Sequence, residues 1–208
     1  MWYRVVIAAL GSYLLGNLNG AVIVSRVMAH EDVRSHGSGN AGLTNFIRNY
    51  GVRTAALVVL IDVGKAVAAC LLGQTLLSPL GYAKEGQMLG AACVLLGHIF
   101  PALLGFKGGK GILSGFTIAL MVDWRIGLLS FLTFAVAYGL TQYVSLGSVL
   151  AAAMFGVGFI LFYRQQPVVM WTALLLAALV IFMHRGNIQR LLRGEERKTN
   201  LFGKGRKQ

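Results

Sequence analysis

Charge is scarce in this chain. Only 12% of its 208 residues are Asp, Glu, Lys or Arg, about half the share of an average soluble domain. The seven acidic residues are scattered, and neither an HExxH nor a CxxC pattern occurs. Clustered carboxylate or thiolate metal sites are therefore not expected, and no cofactor or metal is called for. Two cysteines, Cys70 and Cys93, both lie inside apolar runs and read as buried free thiols. There is no Asn-x-Ser/Thr sequon.

What fills the space is apolar sequence. The chain is 56% hydrophobic, with a mean hydropathy of +0.68, which indicates an all-α integral membrane protein folded as one bundle. The segments Val5–Met28, Thr54–Leu77, Gly86–Leu104, Leu146–Tyr163 and Val168–Met183 approach or exceed the roughly 20 residues that a span requires. Ile112–Val122 and Ile126–Leu140 are shorter apolar pieces. Seven spans is the expected architecture, with five spans and a short helical pair as the alternative. Met1–Gly16 has some features of a signal peptide, but the apolar run continues to about Val24 with no clear cleavage site, so a retained first span is expected.

The net charge of +12 would suggest nucleic acid in a soluble protein. In a membrane protein it points to anionic lipid and to topology instead, so no nucleic-acid partner is expected. With the amino terminus outside, fourteen of the nineteen basic residues fall on the inner side; Arg4, Lys84, Arg125 and Arg164 fall outside and Lys65 lies within a span. The expected orientation is amino terminus out and carboxyl terminus in. Residues 1–198 read as a single membrane-embedded domain and 199–208 as a basic, flexible cytoplasmic tail.

That orientation gathers the polar, glycine-rich segments on one side and predicts a composite site there. The first is Ser38-Gly39-Asn40-Ala41-Gly42-Leu43-Thr44-Asn45 with Arg48 beyond it. Its small donors and amides suit an anion, and Arg48 can pair with one bidentately. Gly37-x-Gly39-x-x-Gly42 also fits a dinucleotide pattern, but it lacks the preceding strand that pattern needs. The second is Phe106-Lys107-Gly108-Gly109-Lys110-Gly111, after Gly97-His98-Ile99-Phe100-Pro101. Glycines allow backbone amides to form an anion nest and the lysines add charge; Gly111 stands where a Walker A loop needs Ser or Thr. The third is Tyr143–Ser148, and the fourth is His184-Arg185-Gly186-Asn187, in which His184 and Asn187 would share a helix face. Asp62 and Lys65, three residues apart in a span, are expected to pair. Gly16, Asn17, Asn19 and Gly20 read as close helix packing with interhelical hydrogen bonds.

No histidine is followed five positions later by Asp, so the His-x4-Asp dyad of coenzyme-A-linked glycerolipid acyltransferases is absent. The acidic motif of CDP-alcohol phosphotransferases is absent too. A transporter for a phosphorylated solute would place polar groups along a midplane path, often with inverted repeats. No clear repeat is visible, and the polar groups concentrate on one side.

Taken together, Gly37-Ser38-Gly39-Asn40-x-Gly42-x-Thr44-Asn45-x-x-Arg48, Gly97-His98-x-x-Pro101 with Phe106–Gly111, and His184-Arg185-x-Asn187-Ile188-x-Arg190-Leu191-Leu192-x-Gly194-x-Glu196 resemble the bacterial acyl-phosphate:glycerol-3-phosphate acyltransferases, the PlsY type. Asp62-x-x-Lys65 and Tyr143-Val144-Ser145-Leu146 are similar to family features as well. The resemblance covers nearly the whole chain; Ala66, where the family commonly has Gly, is a departure that touches local packing only. It implies a seven-helix bundle in the bacterial cytoplasmic (inner) membrane with its active site at the cytoplasmic face. The implied reaction moves a fatty acyl group from acyl phosphate to the 1-hydroxyl of glycerol 3-phosphate, giving lysophosphatidate and phosphate, the first acylation of phospholipid synthesis. By the resemblance, Ser38, Arg48, His184 and Asn187 are catalytic. Asn40, Thr44, Asn45, Lys107, Gly108, Gly109, Lys110, Gly111 and Ser145 bind substrate or phosphate, and Asp62, Lys65 and Glu196 support the structure. The proton acceptor is left between a substrate phosphate oxygen, which is favoured, and His184. Acyl-chain preference and oligomeric state are left open.

Overall fold

The computed structural model describes residues 2–199 and is helical throughout, with no strand among the described residues. The elements are α1 (Trp2–Asn17), α2 (Gly20–Ala29), α3 (Leu43–Tyr50), α4 (Val52–Leu77), α5 (Ala83–Ile99), α6 (Ile112–Val122), α7 (Trp124–Thr141), α8 (Val144–Tyr163), α9 (Pro167–Met183) and α10 (Arg185–Leu192). Among the described residues five stretches are long and apolar enough to cross a membrane: Trp2–Ala29, Val52–Leu80, Ala83–Leu104, Trp124–Thr141 and Val144–Tyr163. The pair α9 and α10, bent by 55° where they meet, makes a sixth when taken together as one span.

The lengths sharpen the sequence reading. Ile126–Leu140 was expected to be a short piece, but α7 runs from Trp124 to Thr141 and is a full-length candidate, because Asp123 caps it by accepting a hydrogen bond from the Arg125 N–H at 3.0 Å. The α6 helix remains short: its 11 residues span only about 16 Å. It packs on α4 and α7 instead of standing alone.

The first span is broken, where the sequence suggested one continuous helix. The break falls at Leu18 and Asn19, and inside a membrane the freed backbone groups must find partners in the protein. Lys65 on α4 donates to the carbonyls of Leu18 (2.7 Å) and Gly16 (3.4 Å), while Asp62 Oδ1 accepts from the Gly20 N–H (3.2 Å). Lys65 and Asp62 also pair at 2.7 Å with side chains no more than 2% exposed. Asn19 caps α2 by accepting from the Val22 N–H and donates to the Ala41 carbonyl, both at 3.0 Å. The ion pair thus serves as a plug for the break, and Asn19 links the break to the Ser38–Arg48 segment.

Small residues let the bundle close tightly. Added Cβ atoms would lie 2.7 Å from Gly97 Cα at Gly16, and 2.7 Å from the Val58 carbonyl oxygen at Gly20. These two glycines therefore pack on different helices, α5 and α4, because the break separates them. The largest core cluster joins α4 to α9 around Met88, Leu95, Ile118 and Phe159, and a second surrounds Val22, Phe46 and Val58 beneath the Ser38–Arg48 segment. Leu60, Leu132, Leu140, Leu161 and Leu175 face outward and are well exposed, the pattern of a lipid-facing surface. Cys70 is buried, Cys93 is partly buried, and both are free. Of the basic tail, Thr199 is described and buried; residues 200–208 lie outside the described residues.

Candidate active site

Hydrogen bonds tie the four polar segments to one another at one end of the bundle. Arg34 donates to the carbonyls of Leu104 (2.9 Å) and Lys107 (3.0 Å), Lys110 bonds to the Asn187 side chain, and Arg48 bonds to Thr199. Glu196 accepts from Ser145 (2.8 Å), Asn187 (2.7 Å) and Arg190 (2.7 Å). Between these segments lies a cavity of about 930 Å³.

Its mouth is polar and its interior largely apolar, with Asp62, His98, Ser130 and Ser148 as buried polar exceptions. Ser38, Asn40, Thr44, Arg48, Lys110, Gly111, Ser145, His184, Asn187 and Glu196 line the polar part. Phe116, Phe131, Phe134, Phe155, Leu176 and Val180 line the part that extends between α6, α7, α8 and α9. A head with anionic character and a hydrocarbon chain would each meet a matching surface.

The Ser38–Arg48 segment is shaped by Asn45, which is 3% exposed. Its Nδ2 donates to the carbonyls of Val33, His36 and Asn40, and its Oδ1 accepts from the Ser38 N–H at 3.0 Å. The sequence reading made Asn45 a binding residue. It does line the cavity, and with its amide engaged by the backbone of its own segment it also scaffolds that segment. Gly37 and Gly39 adopt φ of +60° and +70°, values that glycine adopts without penalty. Ser38 is exposed at the mouth.

The glycine-rich loop also departs from expectation. The Gly108 and Gly109 amides donate to the carbonyls of Ile99 (3.2 Å) and His98 (3.1 Å), so neither N–H is turned toward an anion. Lys107 is exposed, and Lys107, Gly108 and Gly109 are all outside the cavity lining. The nest expected over Lys107–Gly111 therefore narrows to Lys110 and Gly111. His98 lies behind the loop with its Nδ1 2.8 Å from Lys65 Nζ, joining the loop to the plugged helix break.

Lys110 is half-buried, and burial together with the nearby Arg190 and Arg48 cations lowers its pKa to about 8, with Glu196 opposing. Burial raises the Glu196 carboxyl, but the hydrogen bonds from Asn187, Ser145 and Arg190 outweigh it and leave the group below its ordinary value. Among the described residues neither Arg48 nor Lys110 forms a salt bridge. Ser145, expected to bind substrate, lines the cavity, but its proton is engaged by Glu196. His184 closes α9 and is also the N-cap of α10, and the 55° bend there leaves His184 and Asn187 lining the same cavity. His184 is 3% exposed and its Nδ1 lies 2.8 Å from the Val180 carbonyl. That carbonyl holds the proton on Nδ1 and leaves a lone pair on Nε2.

Arg34 escaped the sequence reading. Arg34 holds the loop from below while Asp32 grips it through Nε (2.9 Å) and Nη2 (2.8 Å). The Arg34 guanidinium holds the Asp32 carboxyl well below the usual range. Its signal was the Asp32-x-Arg34 pair just ahead of the glycine-rich segment. No group of three or more His, Cys, Asp or Glu side chains is placed to hold a metal ion among the described residues.

The helices define a membrane-embedded protein, and its cavity joins a surface bearing Arg48 and Lys110 to an apolar one. The chain belongs to the glycerol-3-phosphate acyltransferase family, whose model matches residues 6–194. It is 40% identical over 195 residues to a glycerol-3-phosphate acyltransferase of Anaeromyxobacter dehalogenans (strain 2CP-C), covering 93% of this chain and 96% of that one. A Clostridioides difficile (strain 630) protein of the same name is 39% identical over 197 residues, covering 94% and 96%. The fold is also similar to the crystal structure of PlsY (YgiH), an integral membrane glycerol 3-phosphate acyltransferase. The glycerol 3-phosphate form gives a TM-score of 0.85 at 28% identity, covering 94% of this chain and 96% of that one. The lysophosphatidic acid form gives 0.81 at 28%, covering 95% and 96%.

Proposed function

We propose that this protein acylates the 1-hydroxyl of glycerol 3-phosphate with acyl phosphate as donor, at the cytoplasmic face of the bacterial inner membrane. The observation that carries the reading is the joining, in one cavity, of a cationic mouth at Arg48 and Lys110 to an apolar extension lined by Phe116, Phe131 and Phe155. The excess of basic residues at the site end supports a cytoplasmic mouth with the amino terminus outside. It also suits contact with anionic lipid.

The chemistry asks little of a base. Acyl phosphate is a mixed anhydride with a good leaving group. The glycerol hydroxyl oxygen bonds to the acyl carbon, the bond from that carbon to the phosphate oxygen breaks, and inorganic phosphate leaves. The main obstacle is mutual repulsion of two phosphorylated substrates. Arg48 and Lys110 offset it and hold the hydroxyl near the carbonyl. A substrate phosphate oxygen takes the hydroxyl proton in preference to His184, while Ser38, Asn40 and Thr44 at the mouth supply neutral hydrogen bonds. Asn187 orients Lys110, and Glu196 orients Asn187.

Purified protein in detergent, given palmitoyl phosphate and labelled glycerol 3-phosphate, should form labelled lysophosphatidate. Absence of that product under conditions where the protein stays folded would overturn the reading.

A further inference from the structure

The chain does not leave the bundle after α10. It turns at Gly194 (φ +71°), is anchored by Glu196 and returns across the cavity mouth to α7. Arg197 and Lys198 are exposed, but Thr199 is only 6% exposed. Its N–H donates to the Gln142 carbonyl (3.0 Å), and its own carbonyl accepts from the Tyr138 hydroxyl (2.8 Å). With the backbone fixed on both sides, its hydroxyl oxygen accepts a hydrogen bond from Arg48 Nη2.

We propose that Thr199 is a positioning residue for Arg48, so that residues 194–199 are a functional part of the active site. Arg48 has no carboxylate partner in a salt bridge among the described residues, and its long side chain carries large rotamer entropy. A fixed acceptor at one edge of the guanidinium selects one orientation and leaves its other N–H donors for a phosphate. The Thr199 acceptor is neutral, so it orients Arg48 without cancelling its charge. A carboxylate there would compete with the substrate.

The proposal rests on Arg48 being a phosphate-holding cation, and the test separates the two. KM and kcat for glycerol 3-phosphate and for acyl phosphate would be measured for wild type, Thr199→Val, Thr199→Ser and Arg48→Ala, with thermal unfolding in detergent as control. Thr199→Val keeps the shape and removes the acceptor; it should raise at least one KM by about five- to tenfold with kcat within about twofold, the scale of one lost hydrogen bond to a charged group. Thr199→Ser should restore wild-type values. Tyr138→Phe, which removes the hydrogen bond to the Thr199 carbonyl and leaves the Arg48 and Thr199 side chains present, should give the same pattern more weakly. This second variant keeps the test open if Thr199→Val folds poorly. Unchanged KM values in folded Thr199→Val, or no rescue by Ser, would overturn the role of Thr199. An unaffected Arg48→Ala would overturn the reading of Arg48 itself.

Discussion

Two lysines meet the two ends of the short helix α6 in opposite circumstances. Lys84, from the first turn of α5, donates to the Val122 carbonyl at the carboxyl end of α6 at 2.8 Å and to Gln87 at 3.2 Å. Its charge is met by a helix-end carbonyl. At the amino end of α6 Lys110 stands just before the cap, Gly111, where the dipole disfavours a cation. It also faces the like charges of Arg190 and Arg48. The arginines repeat the contrast. Arg125 is paired with Asp123 at 2.7 Å, whereas Arg48 donates to the neutral hydroxyl of Thr199. Lys84 and Arg125 finish the fold at one end of the molecule. At the other, Arg34 and Arg190 are paired with carboxylates, but Lys110 and Arg48 stand beside a cavity with no salt bridge among the described residues, an arrangement that a bound anion relieves.

Removing each cation tests that contrast. Lys110→Ala should reduce kcat/KM for glycerol 3-phosphate by about 100-fold or more, the scale of losing a preorganised charge at a reacting centre. Lys84→Ala should leave activity within about twofold while lowering the unfolding temperature by about 2–4 °C. Equal losses of activity at the two lysines would break the comparison. Glu196→Gln should have an intermediate effect, about tenfold in kcat/KM, because it disturbs Asn187 and Arg190 and leaves Lys110 and Arg48 in place. The smallest effect belongs to Lys107→Ala, under about threefold, since an exposed cation off the cavity is screened by solvent and salt. A large loss there would show that the loop rearranges to bring Lys107 inward.

Much of this was legible in the sequence, and the limits have physical causes. The apolar runs located the helices because burial in lipid demands length. The clustering of Ser38, Arg48, Lys110, His184 and Asn187 followed from charge asymmetry. The break at Leu18 was not legible, since the apolar run continues through it and its partners, Asp62 and Lys65, lie more than 40 positions away. Asn45 looked like a ligand residue because an amide that ties a loop and an amide that binds an anion look alike in sequence. The Gly108 and Gly109 amides were assigned to an anion for the same reason; only the position of the α5 carbonyls shows that they are used. The bend at His184 and the return of Thr199 to Arg48 depend on long-range contacts that no local pattern encodes.

The most direct test of the central claim, that a cation held against its surroundings at Lys110 binds the substrate phosphate, is the pH dependence of kcat/KM for glycerol 3-phosphate. The lysine binds phosphate when protonated, and its pKa in the free protein is lowered to about 8. The parameter should therefore fall as pH rises through about 8, and Lys110→Arg, which stays charged, should lack that fall. A flat profile in the wild type, or the same fall in Lys110→Arg, would contradict the account.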